Sequence, residues 1–503
     1  MKAQFLIHSD ALGEAVTACS GPSINLFNAA EQNTIRLWVL STTLSEVRKN
    51  LNPNEMIQWK KWLSILKVLS LTSLEIKEAM ASSNNSDLIL IQKAVTEFNL
   101  QAVLTLQPQR FKKLSIPAAL PSGLKSLLEK INPTPISLVS PPASYHEIWD
   151  DLEDSIANVI RPGLFVLGSK VSELEEKIAS YCQTRHAIGV SSGTDALLIA
   201  LMAEDISRND EVITTPFTFF ATVGSISRLG AKPVFVDIDP QSFNISPEAI
   251  EEKITSQTKA IIPVHLYGQC SDMDPILKIA EKFNLTVIED AAQAIGSEYK
   301  FKRAGSFGRY GCFSFFPTKN LGGFGDGGII TTSSDEAAEK LRLLRVHGSK
   351  IKYRHEILGG NFRLDALQAA VVSAKLTYLE GWTEKRRQIS KNYRQLIKKN
   401  NLDKRLQTPK EIFPRHVYNQ FVVRVHEQRG ELMKFLKTRG IATEIYYPVA
   451  LHEQECFAHL GYRRGDFPEA EKAAAESLAL PIAHEISLEQ QSLIISAIAD
   501  YFS

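Results

Sequence analysis

The stretch Gly311-Cys312-Phe313-Ser314-Phe315-Phe316-Pro317-Thr318-Lys319-Asn320-Leu321-Gly322 is followed by Gly323-Phe324-Gly325-Asp326-Gly327-Gly328. An apolar run of this kind is the pattern of a strand buried on both faces. It contains Ser314 and runs into Lys319, which stands among glycines. One reading of Lys319 is a surface lysine on a flexible loop. The other is a partly desolvated lysine at a strand end, whose lowered pKa frees a neutral amine for Schiff-base chemistry.

Two upstream segments give that lysine a context. Val287-Ile288-Glu289-Asp290-Ala291-Ala292-Gln293 puts an acid at the carboxyl end of a buried strand, where open α/β sheets bind ligands. Asp290 can hold a ring nitrogen protonated, and Gln293 can reach another atom of the same ligand. The plainer reading is a strand-end acid that caps the next helix. Ser191-Ser192-Gly193-Thr194-Asp195 closes a strand and opens a helix. Unpaired N–H groups there suit a phosphate, although a Ser/Thr N-cap alone also explains the pattern.

The surrounding chain alternates strands with helices. Strands are expected at His186–Val190, Glu211–Thr214, Pro233–Asp237, Ala260–Val264, Thr286–Glu289 and Gly311–Phe316, and helices at Asp195–Ala203 and Met273–Phe283. That alternation predicts a mainly parallel sheet covered on both faces. From about Arg386 onward, fewer strands indicate a smaller C-terminal domain. Taken in order, a phosphate turn, a strand-end Asp and a Ser-x-x-x-x-Lys meet the needs of pyridoxal 5'-phosphate (PLP). That cofactor requires a phosphate cup, a partner for its ring nitrogen and a lysine for its aldehyde.

From roughly Ile136 to the C-terminus the chain resembles the DegT/StrS family of sugar aminotransferases. The residues that carry the likeness include Ser191–Leu197, Pro216–Phe219, Val264–Gln269, Glu289–Gln293, Ser314–Gly328, Gly360–Asp365, Tyr447-Pro448 and Gly465–Pro468. The resemblance implies a fold-type-I PLP-dependent transferase, with a mainly parallel α/β large domain and a smaller α+β C-terminal domain. It implies that Lys319 forms the Schiff base and Asp290 pairs with the pyridine nitrogen. Gln293 would lie near the ring's phenolic oxygen, with Gly193, Thr194 and Ser314 on the phosphate and Phe219 stacked on the ring. Asn361 would reach the cofactor of a neighbouring subunit, which implies a homodimer. Phe219 and Asn361 also read plainly, as a core aromatic and a loop-capping Asn. The implied reaction moves an amino group from an amino acid, glutamate by resemblance, to a nucleotide-linked keto-sugar for glycan or secondary-metabolite biosynthesis. Relatives that dehydrate instead carry histidine where this chain has Lys319.

The bulk numbers agree with a globular enzyme. The 503 residues exceed one ordinary core, so two or three domains are expected. The 57 basic and 56 acidic residues leave a formal charge of +1, which gives no electrostatic reason to expect nucleic acid or a membrane surface as partner. Cys19, Cys182, Cys270, Cys312 and Cys456 are scattered without a CxxC pair. That argues against a disulfide framework or a structural metal site and fits a reducing cytoplasm. No signal-peptide core or membrane-length apolar run is read in the sequence.

Four prolines between Asn132 and Ser144 mark a linker or arm. The expected organisation is a small α/β domain at 1–131, a linker at 132–144, the PLP-binding large domain at 145–385 and the small domain at 386–503. In the first of these, strands are expected at Gln4–Ile7 and Ala102–Thr105 and helical sequence after Ser45–Val47 and at Leu88–Phe98. This segment weakly resembles PIN domains, which are small metal-dependent nucleases. The likeness departs at the metal-binding positions. His8 stands where the first acid is expected, Asp10 sits two places late, and Gln107 and Arg110 replace late acidic or amide residues, while Glu46 and Asp87 are kept. The expectation is a degenerate, non-catalytic module without a metal. Two other functional readings are a PLP-binding regulator without turnover and a PIN-type nuclease activity in the N-terminal domain.

Overall fold

The computed structural model describes residues 136–138, 145 and 147–503 and, within residues 1–134, the backbone of five short strands. By its internal contacts the chain divides into two compact units, Met1–Thr134 and Pro135–Ser503.

In the first unit, β1 (Ala3–Ile7), β2 (Ile35–Leu40), β3 (Lys67–Leu69), β4 (Ala102–Leu104) and β5 (Ala118–Ala119) form a sheet in the order β3-β2-β1-β4-β5. Every pairing in it is parallel. The strands expected at Gln4–Ile7 and Ala102–Thr105 fall on β1 and β4. The helical readings at Ser45–Val47 and Leu88–Phe98 lie outside the described residues. So do His8, Asp10, Glu46, Asp87, Gln107 and Arg110, on which the PIN resemblance turns, and Cys19.

The second unit opens with α1 (Trp149–Ile160), α2 (Ser169–Tyr181), β6 (His186–Val190), α3 (Gly193–Ala203), β7 (Glu211–Thr214), α4 (Phe220–Arg228) and β8 (Lys232–Phe235). It continues through β9 (Thr258–Ile261), α5 (Met273–Phe283), β10 (Thr286–Asp290), the hairpin β11 (Glu298–Tyr299) and β12 (Lys302–Arg303), β13 (Tyr310–Ser314), β14 (Gly328–Thr332) and α6 (Asp335–Leu344). A seven-stranded sheet runs in the order β6-β14-β13-β10-β9-β7-β8. Only β14 opposes its neighbours in direction; the remaining pairings are parallel.

Alternate residues of each strand feed opposite faces, as the pleat requires. Ala187, Ile213, Ile261, Val287, Phe313 and Ile329 pack on one side with residues of α2 and α5. Their neighbours Ile188, Val212, Ala260, Ile288, Cys312 and Ile330 pack on the other with residues of α3 and α6. Both faces are therefore dry, which explains why the strands read as unbroken apolar runs. Burying each such Ile, Val or Leu stabilises the fold by about 1.5–3 kcal/mol before chain entropy is counted.

The apolar runs extend past the regular pairing. The run Ala260–Val264 outlasts β9, yet the Ile262 N–H still donates to the Ile213 carbonyl at 2.8 Å, and Val264 bridges Asp290. Phe315 likewise donates to Gly327 at 2.8 Å beyond the end of β13. β14 was not among the expected strands.

The chain then forms the hairpin β15 (Ser349–Ile351) and β16 (Arg354–His355), α7 (Ala366–Leu376), and α8 (Leu379–Lys399), which runs across position 386. β17 (Leu406–Gln407), β18 (Phe421–Val425), α9 (Arg429–Thr438), α10 (Pro468–Glu476), β19 (Ser477–Leu480) and α11 (Leu488–Phe502) complete the fold. The sheet β17-β18-β19 is antiparallel. Tyr393, Phe421, Leu436, Leu478 and Ile494 share its core with Ile136. Ile136 is tied there by its own backbone: it donates to Gly440 at 2.8 Å and accepts from Ala442 at 2.9 Å. The start of the second unit thus packs into the core of its C-terminal sheet and pairs with the segment after α9. The four described cysteines are free. Among the described residues no helix is long and apolar enough to cross a membrane, and no His/Cys/Asp/Glu group is arranged to hold a metal ion.

Candidate active site

Lys319 follows β13 in a loop held at several points. Its N–H donates to the Phe316 carbonyl at 2.9 Å, and Gly323 donates back to Phe315 at 2.7 Å. The Asn320 amide donates to the Val417 carbonyl at 2.9 Å, the Phe324 N–H donates to Gln368 at 2.7 Å, and the buried Lys375 ammonium donates to the Gly322 carbonyl. The glycine-rich sequence suggests a flexible loop, but these bonds tie it to α7 and to the approach to β18. Lys319 is half-buried, and burial pushes its amine down to about 8, with the Asp290 charge acting the other way.

Asp290 ends β10 and is 5% exposed. The Thr222 hydroxyl donates to its Oδ2 at 2.7 Å, and the Ala292 N–H donates to Oδ1 at 3.2 Å. Burial raises its pKa, while those two bonds, Lys319 and His265 lower it. The strand end itself is pinned. Asp290 donates to Pro263 at 2.9 Å and accepts from His265 at 3.0 Å through the backbone. Next to it, the fully buried Glu289 accepts from His265 and from the N–H groups of Gly305, Phe307 and Gly308.

The Ser191–Asp195 turn packs against both. Ser192 caps α3 by accepting from the Asp195 N–H at 3.0 Å, so the first turn of an 11-residue helix points its amides outward. Gly193 is required here by close approach: a Cβ would lie 2.7 Å from the Ser314 Cβ. A Cβ on Gly328 would lie 2.6 Å from the Ser192 backbone. The turn, the end of β13 and the start of β14 therefore meet at van der Waals distance.

Gln293 is committed on both ends. Its Oε1 accepts from the Tyr267 N–H at 2.7 Å, and its Nε2 donates to the Tyr447 hydroxyl at 2.9 Å. Phe219, 56% exposed, precedes α4, and its ring centroid lies 6.0 Å from that of Tyr447. A cavity of about 520 Å³ collects these groups: Gly193, Thr194, Phe219, Asp290, Gln293, Ser314 and Lys319 all line it. Seven of the eight expected site residues are brought together by the fold of one chain. The eighth, Asn361, is exposed and outside the cavity, paired with Val346 in the loop that runs beside Ser191.

The DegT/DnrJ/EryC1/StrS aminotransferase family matches residues 147–499. The chain belongs to that family. Among its family relatives, the pleiotropic regulatory protein of Geobacillus stearothermophilus is 52% identical over 71% of this chain and 96% of its own length. The UDP-N-acetyl-3-dehydro-α-D-glucosamine 3-aminotransferase of Acidithiobacillus ferrooxidans is 40% identical over 73% of this chain and 97% of its own. Solved structures include DesV from Streptomyces venezuelae in complex with a ketimine intermediate, with TM-score 0.70 and 37% identity over 73% of this chain and 98% of that one. NtdA from Bacillus subtilis, solved with bound PMP, is similar at TM-score 0.67 and 32% identity over 72% and 83% of the two chains. The fold of the second unit is that of the family's fold-type-I aminotransferases.

Several groups of the family site are poorly signalled by the sequence. Thr222 sits in the first turn of α4, and no residue-type pattern marks it as a partner of Asp290. Tyr447 stands out only as part of a Tyr-Pro pair, and Gln420 and Tyr446 reach the cavity from segments distant in sequence, while Asp326 comes from the glycine-rich run after Lys319.

Proposed function

We propose that the protein transfers an amino group from an amino acid, glutamate in this reading, to a nucleotide-linked keto-sugar, using pyridoxal phosphate held in the cavity around Lys319. One observation carries the proposal. A half-buried lysine, a buried carboxylate and a helix N-terminus converge on one cavity of about 520 Å³. That donor set fits the cofactor: a dianionic phosphate for the amides of α3, a ring nitrogen for Asp290 and an aldehyde for the Lys319 amine. The activities of named relatives support the substrate class, including the UDP-sugar aminotransferase of Acidithiobacillus ferrooxidans and a dTDP-3-amino-3,6-dideoxy-α-D-galactopyranose transaminase 43% identical to this chain. The PMP bound to NtdA supports the cofactor.

When bound, the cofactor supplies an electron sink for a carbanion at the donor's α-carbon. The chain's own residues do the rest. Lys319 would hold the aldehyde and, once displaced by the donor's amine, would move the proton from the donor's α-carbon to the former aldehyde carbon. Its lowered pKa keeps part of the amine unprotonated near neutrality. Asp290, in its ionised form, would hold a proton on the ring nitrogen. Gly193, Thr194 and Ser314 would bind the phosphate, Phe219 would cover a ring face and Gln293 would serve the phenolic oxygen.

Asn361 completes this reading by reaching the cofactor of a partner subunit, so the working form is a homodimer. Its exposure supports that, as do the exposed Leu164, Phe165 and Val166, which adjoin its loop through the Val166–Asp365 bridge. The reading includes a cytoplasmic location, a non-catalytic N-terminal module at 1–131 joined through 132–144, and a large and a small domain at 145–385 and 386–503.

The test is a spectrum followed by an assay. The purified protein with pyridoxal phosphate should absorb in the visible, and a panel of keto-sugar nucleotides with glutamate should yield an amino sugar. Asp290→Asn keeps the shape and removes the charge, so turnover should fall by several orders of magnitude with a modest loss of cofactor binding. A colourless protein that turns over none of the panel would refute the reading.

A further inference from the structure

Asp290 presents a physical difficulty. A carboxylate sealed 95% from water, as its 5% exposure states, favours the neutral form, yet its proposed work needs the ionised one. The groups that face it can be named from each element packed around it. Lys319 faces it from the loop after β13, Cys312 from β13 itself, and His265 from the segment after β9. Tyr447 faces it from the segment before α10, and Glu289 adjoins it on β10. Lys319 is a charge that opposes the burial, but it is the group the cofactor consumes. Two hydrogen bonds remain throughout, from the Ala292 N–H and from the Thr222 hydroxyl.

Thr222 has a further partner. Its Oγ1 lies 2.9 Å from the Thr218 Oγ1, and both side chains are buried, at 0% and 2% exposure. An ionised carboxylate accepts only, so the Thr222 proton points to Asp290. Thr218 must then donate to Thr222. The order Thr218 to Thr222 to Asp290 is a directed chain of donors that ends on the carboxylate, and Thr218 stands in the cavity wall.

We propose that Thr222 is a positioning residue that keeps Asp290 ionised and aimed into the cavity, with Thr218 fixing the direction of the Thr222 hydroxyl. This rests on the assignment of Asp290 as the partner of the ring nitrogen. Thr218 lies just before the N-cap of α4 and Thr222 in its first turn, so a single helix start delivers both. Neither touches the reacting atoms in this reading.

The probe is pyridoxamine phosphate, which cannot bond covalently to Lys319 and so reports the non-covalent contacts alone. Its dissociation constant is measured with the full-length protein between about pH 5 and pH 7, where Lys319 keeps its proton. Thr222→Val removes the hydroxyl at nearly constant volume. It should weaken binding about tenfold at the acid end, as expected of one hydrogen bond to a charged group, with the difference narrowing as pH rises. Thr222→Ser should restore most of the affinity, and Thr218→Val should shift it in the same direction by less. Asp290→Asn should bind modestly more weakly than the wild type, and the pH dependence it keeps should be that of the phosphate alone. If Thr222→Val follows the wild type at every pH, or if Val and Ser lose affinity equally across the range, the inference is wrong and Thr222 is packing. If Asp290→Asn binds and turns over as the wild type does, the assignment of Asp290 fails, and this inference falls with it.

Discussion

The His265 imidazole donates from Nε2 to the Glu289 carboxylate at 2.9 Å, with neither side chain exposed to solvent. The tautomer follows from the other nitrogen, since His265 Nδ1 accepts from the Ser271 N–H at 3.0 Å. Glu289 also accepts from Gly305, Phe307 and Gly308 at 2.7–2.8 Å, so both oxygens face only donors. This pair fixes the strand end that presents Asp290 without itself lining the cavity.

Glu289→Gln should therefore be costly despite its shape. The new amide would turn N–H groups toward a cluster of donors, and no rotation of the side chain avoids it. Breaking a buried charged network of this kind costs about 3–5 kcal/mol. Urea unfolding of the cofactor-free protein measures this, and a loss below about 1 kcal/mol would show that the network rearranges freely.

The Lys319 amine gives a prediction in pH. A lysine at its ordinary value of 10.5 would capture an aldehyde at a rate that keeps climbing well past pH 9. With the amine pushed down to about 8, the neutral fraction is roughly a tenth at pH 7 and saturates by about pH 9. Stopped-flow mixing with pyridoxal phosphate should show a rise of up to about tenfold from pH 7 and then a plateau. The unfolded chain holds the lysine proton up to its ordinary value, so the stability of the cofactor-free protein should also rise between about pH 8 and 10.5. Borohydride should fix the cofactor on Lys319 and nowhere else, and Lys319→Ala should abolish turnover while the fold survives. A capture rate that has no plateau by about pH 10 would mean the amine is not desolvated.

The order of motifs made the site legible because each lies at a strand end, and ends of parallel strands gather on one edge of the sheet. Ser191–Asp195 after β6, Asp290 at the end of β10 and Lys319 after β13 are brought together by that rule alone. β14 was harder to read. It is a fully buried antiparallel strand that begins at Gly328, so its glycine-rich start looks like a continuing loop. Thr222 and Thr218 were illegible for a different reason. Asp290 is 68 residues from Thr222, and a buried threonine in or just before a helix has no pattern that separates a donor to a carboxylate from a core residue. The tightness of the Lys319 loop was hidden as well, because its ties run to Gln368, Lys375 and Val417, all distant in sequence.

Asn361 is where a second chain enters the argument. If it serves the partner's site, two defective chains should repair each other. A Lys319→Ala chain supplies Asn361, and an Asn361→Ala chain supplies Lys319. Random mixing would then create one intact site in each mixed dimer, about a quarter of the full complement. Activity well above the sum of the two variants alone is the expected result. No gain on mixing, with exchange of subunits confirmed by sedimentation, would place Asn361 outside the partner's site.

The N-terminal unit should be separable, but the cut must respect Ile136. A fragment of residues 132–503 keeps every residue assigned to the cofactor site and also keeps Ile136, with its bonds to Gly440 and Ala442. It should bind pyridoxal phosphate, dimerise and transaminate. A fragment of residues 145–503 loses that buried isoleucine and both backbone bonds. It should be less stable by about 2–5 kcal/mol, the range for emptying a large apolar core position. Thermal melting of the two fragments compares them directly, and equal melting would mean that Ile136 contributes nothing to the core it enters. The isolated 1–131 piece should cleave no RNA with Mg²⁺ or Mn²⁺, because His8, Gln107 and Arg110 stand where metal-binding acids or amides are needed. Cleavage that stops on mutating Glu46 or Asp87 would overturn that reading. If the 132–503 fragment is soluble and dimeric yet inactive, the first unit contributes to the active site, and the modular division fails instead.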